Sequence, residues 1–141
     1  MQDNLNIVSI ENPEEFAWGE IGSGVSAYNK QQAGDNHFRR LCFVLQGSDN
    51  EILGGVIAET YWEWLYIDLL WVETELRGRG YGHQLLDIVE NEAQKFGAKN
   101  VYLDTFSFQA PGFYEQHGYQ VFGELQDFPP GHTRYFMRKE L

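Results

Sequence analysis

Apolar and polar positions change period along the chain, and the changes mark out elements. Residues 65–72 are a nearly unbroken apolar run, and a polar link and glycine loop follow before Leu85, Leu86, Ile88, Val89, Ala93 and Phe96 recur at helical spacing up to Gly97. This segment predicts strand, loop and helix. Upstream, Leu5 to Ile10 alternates weakly and reads as a first strand. Asn12-Pro13-Glu14-Glu15 has the form of a helix start. The helix it opens would present Trp18, Ile21, Val25 and Tyr28 on one face. Gly19, Gly22 and Gly24 each cost about 1 kcal/mol relative to alanine, which favours a break into two pieces. Arg40–Gln46 and Glu51–Tyr61 are strand-like runs around the turn residues Gly47-Ser48-Asp49-Asn50, and a second turn at Trp62-Glu63 leads into Trp64–Val72. A three-strand meander results. Asn100–Phe106 is the next strand, joined to the central one by a right-handed parallel crossover. Pro111 can open a short helix that Gly118 closes, and Tyr119–Leu125 and His132–Glu140 are the last strands, separated by the loop Asp127–Gly131.

Composition narrows the class. With 141 residues, 43% of them hydrophobic and 16% aromatic, one folded domain over 1–141 is expected, and no apolar stretch is long enough to span a membrane. Met1-Gln2-Asp3-Asn4 carries no basic segment followed by an apolar one, and the expected compartment is the cytoplasm. The lone Cys42 cannot pair within the chain and lies in a strand-like run, where a structural role outweighs a nucleophilic one. The net charge of −11 argues against nucleic-acid binding and would attract a cationic substrate. His37, His83, His117 and His132 show no metal-ligand spacing, so no metal is expected. His132 follows Pro-Pro-Gly at the start of the last strand, as a substrate contact, a proton relay or a solvated loop residue. Tyr61, Trp62, Trp64 and Tyr66 crowd one corner as core, dimer contact or cleft wall.

Candidate chemistry concentrates in the loop Arg77-Gly78-Arg79-Gly80-Tyr81-Gly82. Alternate glycines leave little bulk near the backbone, so N–H groups at the helix start can converge on an anion beside Arg77 and Arg79. A plain tight turn is the alternative. The spacing is neither the dinucleotide fingerprint nor a P-loop. It resembles the Arg/Gln-x-x-Gly-x-Gly/Ala signature of the GCN5-related N-acetyltransferases (GNAT superfamily), with Arg77, Gly80 and Gly82 at the matching positions. Ala110, Phe113, Tyr114, Gly118 and Tyr119 likewise match that family's second motif, Ala-x-x-Phe-Tyr-x-x-x-Gly-Phe/Tyr.

The resemblance implies an α/β (α+β) fold: a mixed, mostly antiparallel sheet of six or seven strands with helices on both faces. It also implies acetyl transfer from acetyl-CoA to a primary amine by direct attack, the acceptor being a small molecule or a peptide. The loop, residues 77–82, would hold pyrophosphate, Leu70, Trp71 and Val72 would bind pantetheine through their backbone, and the Trp71–Val72 region would supply the oxyanion donor. Tyr114 would protonate the leaving thiolate, and the family resemblance with the aromatic corner points to a homodimer. The base is open. The family's glutamate position falls at Tyr66, and Asp68, two residues on and on the same face by strict alternation, is the only carboxylate inside the run. Asp68 is a base, a structural acceptor or an ammonium site. Two rivals stand beside this reading: a non-catalytic acyl-CoA-binding domain of the same fold, and a nucleotide- or phosphate-binding α/β module.

Overall fold

The structure, a computed structural model, describes residues 4–141. It divides into two compact units, Met1–Asn36 and His37–Leu141. In the first, residues 4–10 form no strand: they have no ladder partner, and alternation without one yields no sheet. Asn12 caps nothing with its side chain. Pro13–Glu15 form a single 3-10 turn, and α1 (Ala17–Ala33) begins beyond it. The helix is continuous through its three glycines, contrary to the expected break, and it buries none of its residues. Trp18, Ile21, Val25 and Tyr28 are all exposed.

The second unit carries β1 (Arg39–Gln46), β2 (Ile52–Tyr61), β3 (Trp64–Val72), α2 (Tyr81–Lys95), β4 (Asn100–Phe106), α3 (Pro111–Gln116), β5 (Gln120–Gln126) and β6 (Thr133–Glu140). The six strands form one sheet in the order β1-β2-β3-β4-β6-β5. Only β3 and β4 are parallel neighbours, joined through α2 as the crossover pattern predicts. Trp62 and Glu63 both adopt positive φ (46° and 68°), the backbone a two-residue hairpin needs to reverse β2 into β3. The core lies between α2 and the sheet: Leu85, Leu86, Val89 and Ala93 meet Leu41, Val56, Ala58, Leu65, Ile67, Val101 and Leu103. Leu86 and Val89 are wholly buried, each stabilising the unit by about 1.5–3 kcal/mol. Among the described residues no helix is long and apolar enough to cross a membrane.

One irregularity shapes everything that follows. Ala58 pairs with Ile67 but Ile57 pairs with Leu69, so Asp68 is an extra residue in β3, a β-bulge. Strict alternation placed Leu70 and Val72 on the face of Tyr66, and the bulge reverses this. Leu65 and Ile67 point into the core before it, Leu70 and Val72 pack against the core after it, and Leu69 and Trp71 are exposed.

Candidate active site

The parallel ladder between β3 and β4 holds for three pairs only, Trp64–Asn100, Leu65–Val101 and Tyr66–Tyr102. Beyond the bulge the two strands share no further pairs. The β4-facing backbone edge of residues 68–72 therefore lacks a strand neighbour, while its other edge stays bonded to β2. Gly54 allows that close approach, since a Cβ there would lie 2.8 Å from the Trp71 carbonyl oxygen. The opening is a cleft of about 660 Å³. Residues 68–72 form one wall, Asp104 and Thr105 of β4 another, the glycine loop one end, and Phe113 and Tyr114 of α3 the other side.

At the loop end the conformation explains the glycines. Gly78 and Gly80 have φ of +77° and +88°, where a side chain costs about 1–2 kcal/mol, and Gly80 is the N-cap of α2. The first N–H groups of α2 have no intrahelical acceptor, and the first bond within the helix is donated by Gln84 to the Gly80 carbonyl at 3.0 Å. These donors and the helix dipole could hold an anion. Arg77 holds the loop against the strand, its Nε donating to the Val72 carbonyl at 2.9 Å. Gly82 is bare for another reason. A Cβ there would fall 2.8 Å from Cζ of Phe113, so α2 and α3 touch through that glycine.

Pro111 starts α3 and Gly118, at φ +95°, ends it, as the sequence indicated. Tyr114 lines the cleft, its ring packed edge-on against Phe113 and Tyr119. Burial, and then the negative charge of Asp104, push its phenol up to about 12, so it is a neutral O–H donor at physiological pH. A buried polar cluster fastens α3 to α2. The Glu90 carboxylate accepts from Lys139 Nζ at 2.6 Å and from the Tyr119 hydroxyl at 2.6 Å, and Lys139 also donates to the His117 carbonyl at 3.1 Å. His117 Nε2 lies 3.1 Å from Asp87, and its Nδ1 meets Nδ1 of His83 at 2.7 Å.

The expected site residues divide as follows. Asp68, Leu70, Trp71, Val72, Arg77, Gly78, Gly80, Tyr81, Gly82 and Tyr114 all line the cleft. Arg79, Tyr66 and His132 are not among its lining residues. Tyr66 reaches it indirectly, its hydroxyl donating to Asp104 Oδ2 at 3.4 Å. His132 stacks edge-on against Phe108 in the β5–β6 connection. The aromatic corner is a shallow hollow of Tyr61, Trp62, Trp64, Tyr102, Phe122 and Arg138.

Two features escaped the sequence reading. Asp104 is the one carboxylate in Asn100–Phe106, and the signal that singled out Asp68 applied to it equally. The donor atoms of Asp87, Glu90 and His117 lie within 4.8 Å of one another, a grouping that could hold a cation and that histidine spacing alone could not show. Both Glu90 oxygens already accept hydrogen bonds from Lys139 and Tyr119.

The glycine loop that opens α2 and the short helix that carries Tyr114 stand on the elements the resemblance implies for an acyl-transfer fold, and comparison with known proteins agrees. The model of the acetyltransferase (GNAT) family matches residues 5–119. A blasticidin-S acetyltransferase from Streptomyces morookaense is 41% identical over 96 residues, 67% of this chain and 71% of the relative. An acetyltransferase from Agrobacterium fabrum is 31% identical over 97% of this chain and all of its own length. A crystal structure of an acetyltransferase from Bacillus cereus superposes with a TM-score of 0.82 at 32% identity, covering 98% of each chain. The chain belongs to the GNAT acetyltransferase family and is an acyltransferase.

Proposed function

We propose that the protein transfers acetyl from acetyl-CoA to a primary amine of a small molecule. The observation that carries this reading is the continuity of the cleft, from the anion site at Gly78–Gly82, along the unpaired edge of β3, to Tyr114. A pantetheine arm laid along residues 70–72 would add its amides to that edge as an extra strand does. This sets the thioester beyond the bulge, with a β3 N–H near Trp71–Val72 as oxyanion donor.

The amine arrives as an ammonium: at a pKa of about 10.4, only about four molecules per ten thousand are neutral at pH 7. Asp68, exposed and lining the cleft, accepts that proton and passes it to solvent. The free amine then forms the N–C bond, the C–S bond breaks, and the amine's second proton leaves as the sulfur gains one. Tyr114 donates to the departing sulfur. With its phenol near 12 and a thiol near 8.5, complete transfer from Tyr114 would be uphill by roughly 5 kcal/mol. Its part is a hydrogen bond to the developing thiolate, and the proton the sulfur takes is balanced by the one the nitrogen releases, exchanged through the solvent of the open cleft. The S. morookaense relative, a blasticidin-S acetyltransferase, supports blasticidin S as the first acceptor to test, and the charge of −11 favours a cationic one.

The test has two stages. Thermal unfolding is recorded with acetyl-CoA, with ATP and NAD as controls. At a hundredfold excess over Kd the donor stabilises by about 2.7 kcal/mol, several degrees in Tm. Thiol release is then followed with blasticidin S, an aminoglycoside, spermidine, lysine and a short peptide. No shift with acetyl-CoA, or no amine-dependent thiol release, overturns the reading.

A further inference from the structure

Asp68 and Asp104 are the two carboxylates that line the cleft, and Asp104 is held by a neighbouring side chain. Arg134 fixes it from the neighbouring strand with two donors on one oxygen, Nε at 2.9 Å and a terminal nitrogen at 2.7 Å from Oδ1. The guanidinium is itself held among the rings of Phe106, Phe128 and Phe136, at 5.6, 4.9 and 5.3 Å from their centroids. The other oxygen, Oδ2, takes only the long 3.4 Å bond from Tyr66. A carboxylate oxygen has about two lone-pair positions, so Oδ2 retains acceptor capacity where Oδ1 is filled.

Its position matters as much. Asp104 is the second residue of β4 beyond Tyr102, where the ladder with β3 ends, and it lines the cleft that opens there. Tyr66 is the corresponding last-paired residue of β3 and lies within the influence of Asp104 and Asp68 together. Asp104 is also near enough to Tyr114 for its charge to be felt at the phenol. An amine placed on Oδ2 would therefore lie in the cleft that Tyr114 and Asp68 also line. Arg134 offsets part of the charge of Asp104 through Oδ1, so Oδ2 orients the ammonium as an acceptor while Asp68 adds a second negative charge to the pocket, and a cation is favoured.

The geometry points to Asp104 as the ammonium-binding residue of the acceptor site, with Arg134 and Tyr66 as positioning residues that aim Oδ2 at the incoming amine. The acceptor class is then an amine protonated when it binds and held by charge before it is deprotonated at Asp68. The inference rests on the acetyltransferase reading.

The experiment compares wild type with Asp104→Asn, which keeps size and one acceptor oxygen but removes the charge. The probe is the best acceptor of the amine panel, and three readouts are taken: acetyl-CoA-induced thermal shift, the kcat/KM split for the amine, and inhibition by the acetylated product. A charge-assisted hydrogen bond contributes about 1.5–3 kcal/mol, so KM for the amine should rise about 10- to 100-fold. The acetyl-CoA shift and inhibition by the uncharged product amide should be unchanged, which a merely structural ion pair would not give. Asp104→Glu should recover part of the loss, and Arg134→Gln should show a smaller one. An Asp104→Asn enzyme whose amine kcat/KM stays within threefold overturns the inference, as does one that loses amine, product and acetyl-CoA binding together. A wild type inert toward acetyl-CoA and every amine would instead overturn the acetyltransferase reading, and this one with it.

Discussion

Lys139 is the substitution whose consequence can be worked most fully. Its Nζ is 2.6 Å from Glu90 Oε1 and 3.1 Å from the His117 carbonyl, and the Glu90 side chain is only 9% exposed. Its stem also passes 3.1 Å from where a Cβ on Gly118 would lie, so the left-handed turn ending α3 is built around it. Lys139→Met keeps the stem and deletes the charge, leaving a buried carboxylate with the Tyr119 hydroxyl as its remaining close donor. Removing one member of a buried pair costs about 3–5 kcal/mol, and the surviving Tyr119 bond argues for about 3. For a domain of this size that is a fall in Tm of about 10 °C. Urea denaturation and thermal scans give the magnitude, and Glu90→Gln with the double variant completes a cycle. The double variant should lose less than the sum of the singles by at least about 1.5 kcal/mol, since each single leaves a partner stranded. A single-variant loss below about 1 kcal/mol, or strict additivity, would refute the argument that this pair clamps α3 to α2.

Three other outcomes follow from the same geometry. Gly82→Ala puts a Cβ 2.8 Å from Phe113 Cζ and should cost about 1–3 kcal/mol while shrinking the acetyl-CoA thermal shift; Phe113→Leu in the same chain should restore much of both. Tyr114→Phe should lower kcat about a hundredfold or more with the acetyl-CoA shift intact. Because burial holds the wild-type phenol near 12, the wild-type rate should show no alkaline loss from this group up to about pH 10. His117 is lowered from its ordinary 6.5, first by burial and further by Lys139 and His83, against the opposing pull of Glu90 and Asp87. The unfolded chain therefore binds the proton at higher pH than the folded one. Stability should be complete above about pH 6.5 and decline as the pH falls below it. The slope of Tm against pH between 6.5 and 5 should be shallower in His117→Asn, and equal slopes would refute the assignment.

The order of elements from Arg39 onward was legible because each has a local cause: β-branched and aromatic runs, turn residues at 47–50 and 62–63, Pro111 and Gly118 around α3, and glycines that φ demands at 78 and 80. Both family motifs fell on the elements expected of them. Residues 5–10 failed because a weak alternation says nothing of whether a neighbouring strand is there to pair with. The faces of β3 failed at Asp68 because a bulge adds one residue to a ladder, and only the partner strand reveals which. The meeting of His83 with His117 spans 34 residues and depends on how α3 packs on α2, which no spacing rule contains.

That distinction bears on how the site works. Ordinary sheet physics would extend the β3–β4 ladder, since each backbone group left without a partner away from water costs about 1–3 kcal/mol. Here the bulge at Asp68 and the end of pairing at Tyr66–Tyr102 coincide, and the groups released face an open cleft where water can reach them. An extended ligand with its own amides can take the place of that water without reorganising the strand. On the proposed reading the glycine loop at one end and Asp104 and Tyr114 at the other would fix its register: phosphate at the start of α2, reacting carbon beyond the bulge, amine at the β4 wall. The interruption of the sheet, which a strand-by-strand reading smooths over, would then bring the two substrates within reach of each other.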